Sequence, residues 1–152
     1  MSSFDGFLLL FILAFAVVFV ARGQGLPPEF TRWHVYVING LSEGRTLFVH
    51  CKSTDDDLGG RNLDPGTNFN WSFRQHVFHR TLFWCYVSKA NDNDDDGAHA
   101  SFDVFWQDVI LFHKCSWKDC IWIAKDDGIY IKDLARNTDE FRREWEPGLL
   151  QD

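Results

Sequence analysis

The feature that most constrains this chain is a succession of short apolar segments, rich in aromatic and β-branched residues, each cut off by turn chemistry after four to seven residues. Phe69 to Phe73 is the cleanest: Phe69, Trp71 and Phe73 fall on one parity, Asn70 and Ser72 on the other, as in a strand with one wet face. Trp33 to Ile38, Thr46 to His50, Thr81 to Val87, Ser101 to Trp106, Val109 to His113, Ile121 to Ala124 and Ile129 to Lys132 share this character. Thr81 to Val87 is apolar on both parities, the pattern of a central strand covered on both sides. Asn39-Gly40 and Asp127-Gly128 mark turns, and Asp55 to Gly66 reads as a loop. Eight short strands without a long helical period predict an all-β antiparallel sandwich. Seven Trp and fifteen Phe against one Met fit a sheet core of large flat side chains. Near the end, Asn137 and Glu140 have the spacing of a capping box, and Phe141 and Trp145 lie i, i+4, which predicts a short helix docked on the sandwich.

The N-terminus is set apart. Phe7 to Ala21 is an unbroken apolar run, too short for a membrane-spanning helix and of signal-peptide length. Ala21-Arg22-Gly23 is a small-x-small cleavage pattern, so residues 1–23 are expected to be a cleaved secretory leader and 24–152 a single domain, with no membrane insertion of the mature protein. The n-region departs from the usual pattern, carrying Asp5 and no Lys or Arg, and an uncleaved signal anchor is the competing reading.

Cys51, Cys85, Cys115 and Cys120 all follow the cleavage pattern, so two structural disulfides are expected in an oxidising compartment. Three pairings are open at this point. A zinc site would need a second close pair beside Cys115 and Cys120, and the sequence has none.

These motifs carry a further signal in their order. His50-Cys51-Lys52-Ser53-Thr54-Asp55-Asp56-Asp57-Leu58-Gly59 is followed by Phe69-x-Trp71-x-Phe73, Thr81-Leu82-Phe83-Trp84-Cys85 and Phe102-x-Val104-Phe105. Cys120-Ile121-Trp122 and Asp127-Gly128-Ile129-Tyr130 complete the set. From about Trp33 to Trp145 the chain resembles the plant self-incompatibility protein family, the S-protein homologues. The resemblance implies a small secreted cysteine-containing β-sandwich without catalysis, of the class of a stigma ligand recognised by a pollen membrane protein.

Function is then expected to lie in loops presented by a rigid scaffold. The acidic stretch Ala90 to Ala100, with Asp92, Asp94, Asp95 and Asp96, is the expected receptor-binding loop, and Ser53 to Asn68 the second candidate. The expected partner is a cell-surface receptor with a basic surface. A net charge of −7 and a pI near 5.2 leave no basic stripe for nucleic acid.

Asp92-x-Asp94-x-Asp96-Gly97 also matches the start of a calcium loop, with Asp103 at the twelfth position. Flanking strand patterns, and His99 at a normally apolar position, favour a solvated acidic loop instead, and no metal is expected. Asn70-Trp71-Ser72 is a glycosylation sequon on the solvent parity. The six His, at 34, 50, 76, 79, 99 and 113, are scattered. The sequence has no nucleophile elbow, Walker loop or dinucleotide fingerprint, so no cofactor or enzyme activity is expected. The alternative class is a carbohydrate or cell-wall binding module that uses Trp and Tyr faces.

Overall fold

The computed structural model describes residues 27–148 apart from 29, 77, 92 and 93, with the backbone alone at 90, 91 and 94–96. The leader expected at 1–23 lies outside the described residues.

Alternation along the strands builds two layers. β1 (Arg32–Asn39), β4 (Asn68–Arg74), β7 (Asp119–Lys125), β8 (Gly128–Asp133) and β9 (Thr138–Arg143) form one sheet in the order β4-β1-β7-β8-β9. β2 (Leu47–Ser53), β3 (Asp57–Leu63), β5 (Phe83–Asn91), β6 (Asp94–Phe105) and β10 (Glu146–Pro147) form the other, in the order β10-β6-β5-β2-β3. Trp33, Val35 and Val37 of β1, with Trp122 of the adjacent β7, face Leu47, Val49 and Cys51 of β2 and Cys85 and Val87 of β5 in one buried core. Large rings fill the end near α1 (Val109–Lys114): Trp33 lies 4.7 Å from Phe112 and 5.1 Å from Phe105, and Phe73 lies 4.6 Å from Phe83. The two buried indoles are satisfied, Trp33 Nε1 donating to Pro28 O and Trp122 Nε1 to Val104 O.

The all-β sandwich is as expected, with corrections. Strand pairs are antiparallel except β1 with β7, which run parallel because the chain crosses from one sheet to the other through α1 before β7 enters. Val109 to His113 is not a strand but α1, because Asp108 caps it: Oδ1 accepts the amides of Ile110 at 2.7 Å and Leu111 at 3.0 Å. The expected helix after Asn137 is strand β9. Asn137 takes the left-handed conformation of a turn (φ 53°), and β9 gains a ladder on β8, with Tyr130 opposite Phe141. The expected loop from Asp55 contains β3; its glycines serve a strand, since a Cβ on Gly60 would lie 2.6 Å from the Phe48 ring that crosses it. Thr81 to Val87 is shifted to β5, whose inner parity is buried while Trp84 and Tyr86 are half-buried on an outer face that no layer covers among the described residues.

The three open pairings resolve to Cys51–Cys85, which cross-links directly opposed residues of β2 and β5, and Cys115–Cys120, which ties the end of α1 to β7.

Candidate recognition surface

Five chain reversals meet at the end of the sandwich away from α1. Asn39, at the close of β1, organises them. Completely buried, it donates from Nδ2 to Arg45 O at 2.8 Å and Leu63 O at 2.9 Å, and its Oδ1 accepts the Leu41 amide at 3.0 Å. Gly66 N–H donates to Asn39 O and Gly40 N–H to Ala124 O. The reversals around Ser42 to Arg45, Asp64 to Thr67 and Asp126 to Asp127 are thereby fixed to one another. The fourth is the β5–β6 hairpin, which reaches the same end because Leu47 pairs with Lys89 and Asn91 with Asp94. The fifth runs through Trp145, whose indole donates to Lys125 O at 2.8 Å.

The charges at this end are unequal in freedom. Lys89, only 8% exposed, donates from Nζ to Asp126 O at 2.7 Å and lies 4.6 Å over the Trp145 ring; burial, with the Arg45 charge nearby, pushes its ammonium below the usual lysine range. Arg45 is likewise occupied, bonding Asp126 and Ser42. Hydrogen bonds from Ser42, then the Arg45 charge, hold the Asp126 carboxyl below its ordinary value. Both cations are thus committed to holding the turns, while Glu43, Asp64, Asp126 and Asp127 are exposed around the hairpin. The result is an acidic end on a rigid frame.

The sequence-predicted residues distribute unevenly over this frame. Asp92 lies outside the described residues. Asp94, Asp95 and Asp96 are not in a long loop but at the start of β6, and only their backbone is described. Continuous strand from Asp94 to Phe105 also removes the calcium-loop alternative, since Asp96 and Asp103 are roughly 23 Å apart at 3.3 Å per residue and their carboxylates cannot converge. Among the described residues no group of three or more His, Cys, Asp or Glu is placed to hold a metal.

Ser53 to Asn68 divides: its Asp64 to Thr67 turn joins the acidic end, whereas Ser53 to Asp56 lies at the α1 end beside Arg74, His76 and His79. Asn70 is exposed on the outer face of the other sheet, as its parity indicated. His34 lies beside Asp119, His50 is bonded to Asp57 at 2.6 Å and His99 lies beside Glu146, while His76 and His79 approach each other with ring centroids 6.2 Å apart.

Sequence reasoning missed Asn39 and Lys89 as braces. Asn39 carried a signal, but Asn-Gly reads as an exposed turn; nothing local marks a lysine that is buried by Trp145, 56 residues later.

Comparison with known proteins bears on this frame directly. Residues 34–145 match the family profile "Plant self-incompatibility protein S1". The chain belongs to that family. S-protein homolog 1 and S-protein homolog 74 of Arabidopsis thaliana are each 49% identical over 121 residues, covering 80% of this chain and 76% of theirs. The Self-incompatibility protein S1 of Papaver rhoeas is 28% identical over 133 residues, 80% of this chain and 81% of its own. A solved self-incompatibility protein homologue, from a family described as widespread, small, highly stable and secreted in plants, superposes with a TM-score of 0.57 at 19% identity, covering 76% of this chain and 95% of the other. The family is thus described as one of secreted plant proteins.

Proposed function

We propose that the protein is an extracellular recognition ligand that binds a cell-surface receptor through its acidic end, with Asp92, Asp94, Asp95 and Asp96 of the β5–β6 hairpin at the centre of contact, as in self-incompatibility-type cell recognition. The observation that carries the reading is the gathering of exposed Glu43, Asp64, Asp126 and Asp127 around that hairpin while Arg45 and Lys89 are held in its supports. Family membership, which includes a relative named as a self-incompatibility protein, supports it. Such a surface favours a receptor with a basic patch, and clustered charge acts chiefly on the encounter rate.

The experiment changes Asp92, Asp94, Asp95 and Asp96 together to Asn and follows association with responding plant cells across a salt series. The expected result is an unchanged melting temperature, a slower association and a shallower salt dependence, because the variant has lost the steering charge that salt screens, over a Debye length of roughly 8 Å at physiological strength. Identical kinetics for parent and variant would remove the hairpin as the recognition element and turn attention to Ser53 to Asp56.

We also infer that the secreted form begins near Gln24, and that Asn70 is a glycan acceptor, since its side chain is exposed and, among the described residues, donates one hydrogen bond, to Asn68 Oδ1. Intact mass before and after enzymatic deglycosylation reads both: Met1 retained, or no mass loss on deglycosylation, rejects the respective claim.

A further inference from the structure

We propose that the outer face of the β10-β6-β5-β2-β3 sheet carries a binding site for an uncharged pyranose oligosaccharide, centred on Trp84. Trp84 is anomalous among the seven tryptophans. Trp33 and Trp122 are in the core, and Trp71, Trp106, Trp117 and Trp145 pack against it. Each of those six also has a ring contact, a cation over its ring or a hydrogen bond from its indole. Trp84 has none of these among the described residues, and it stands half-buried on the face that no layer covers. A large apolar ring left there without a partner offers surface that a ligand can bury.

Its neighbours supply the rest of a sugar site. The strand register sets Lys52 of β2 on one side of Trp84 and Asp103 of β6 on the other. Two strand spacings separate those side chains, roughly 10 Å, about the width of a pyranose ring with its equatorial hydroxyls. Asp103 is exposed and makes no hydrogen bond or ion pair among the described residues, while Lys52 has only a 3.6 Å approach to Asp57. An acceptor and a donor thus flank an indole face, the arrangement that holds a sugar by stacking its C–H face and bonding its hydroxyls. Asp103 also lines a depression of about 300 Å³ with Trp106, Arg142 and Arg143, where a second sugar unit would sit.

Two features select the ligand class. Beside Trp84 one ammonium and one carboxylate cancel, and at the depression Arg142 is paired with Glu140 and Arg143 with Glu146, so the platform gives no net attraction to a uronate or a sulfated chain. β5 is paired on both sides, by β2 and β6, so an extended peptide cannot join its backbone at Trp84, where side chains alone read the ligand.

The test titrates the secreted protein with cellohexaose, xylohexaose and mannohexaose, and with hexagalacturonate as charged comparator, by calorimetry and tryptophan fluorescence. At least one neutral hexasaccharide should bind. Trp84→Ala should weaken it about tenfold or more, Trp84→Tyr should keep most of the affinity, and Asp103→Asn should weaken it severalfold. The quadruple Asn variant of the β5–β6 hairpin should bind the sugar like the parent, which separates this site from the receptor surface. Binding that survives Trp84→Ala and Asp103→Asn, preference for hexagalacturonate, or no binding of any neutral probe would overturn the proposal; Trp84→Tyr, which keeps a ring on the sheet, shows whether a loss reflects the site or the fold.

Discussion

Removing the two disulfides separately should cost unequal amounts of stability, although all four cysteines are completely buried. Cys51–Cys85 closes 34 residues of chain and Cys115–Cys120 closes 5. On the chain-entropy account these loops correspond to about 4 and about 2 kcal/mol at 25 °C. Burial and the atoms removed are alike in both Cys-to-Ala pairs, so packing losses should largely cancel in the comparison. For a domain of this size 1 kcal/mol moves the melting temperature by about 4 °C, so Cys51→Ala with Cys85→Ala should melt about 8 °C lower than Cys115→Ala with Cys120→Ala. Differential scanning calorimetry of both double variants with the parent, under conditions where refolding is reversible, measures this. An equal loss, or a larger loss in the short-loop variant, would refute loop closure as the source of the difference. It would assign the stabilisation instead to the local geometry that Cys115–Cys120 imposes on Ser116 and Trp117, both held at positive φ between α1 and β7.

Asn39→Ala leaves Arg45 O, Leu63 O and the Leu41 amide without their partner in a buried setting and should destabilise by about 3 kcal/mol or more, whereas Asn70→Gln on the wet face should fall within about 0.5 kcal/mol; urea unfolding of both checks the contrast. Gly128→Ala would place a Cβ 2.6 Å from Arg143 O and 2.5 Å from the Phe141 ring, so β8 and β9 must separate; faster amide exchange along β9 and a loss of about 1–3 kcal/mol are expected. Asp57, Asp126, Asp139, Glu140 and Glu146 are all held below their ordinary values of 3.8 for Asp and 4.5 for Glu, first by hydrogen bonds from His50, Ser42, Lys125, Lys114 and Arg143 respectively. A depressed carboxyl stabilises the fold above its unfolded value and loses that contribution as pH falls through the folded one, so the melting temperature should be level above about pH 5 and decline below about pH 4. A melting temperature that stays level down to pH 2.5 would remove these pairs as stabilisers.

The sequence by itself determined the class of the protein. Parity along Trp33 to Ile38 and Phe69 to Phe73 is local, because a strand's side chains alternate whatever it pairs with, and two layers follow from many short one-faced strands. The even cysteine count, the exposed Asn70 and the ordered motifs of the family were legible for the same reason: each depends on residue type and spacing. Tertiary structure decided everything that depended on a distant partner. The segment after Asn137 satisfies helix spacing and strand pairing alike, and the free ladder positions of β8 settle it as β9. Val109 to His113 has no period to read, and one cap at Asp108 with burial of Leu111 and Phe112 makes it a helix. Asp55 to Gly66 looked like turns throughout, yet its glycines allow β3 to pass beneath Phe48. The surface depends on the same kind of contact. The acidic residues are visible in the chain, but their assembly with Asp64 and Asp126 depends on Asn39 and Lys89 reaching across 24 and 37 residues, and Trp84 is set apart from six other tryptophans only by the sheet that leaves it uncovered.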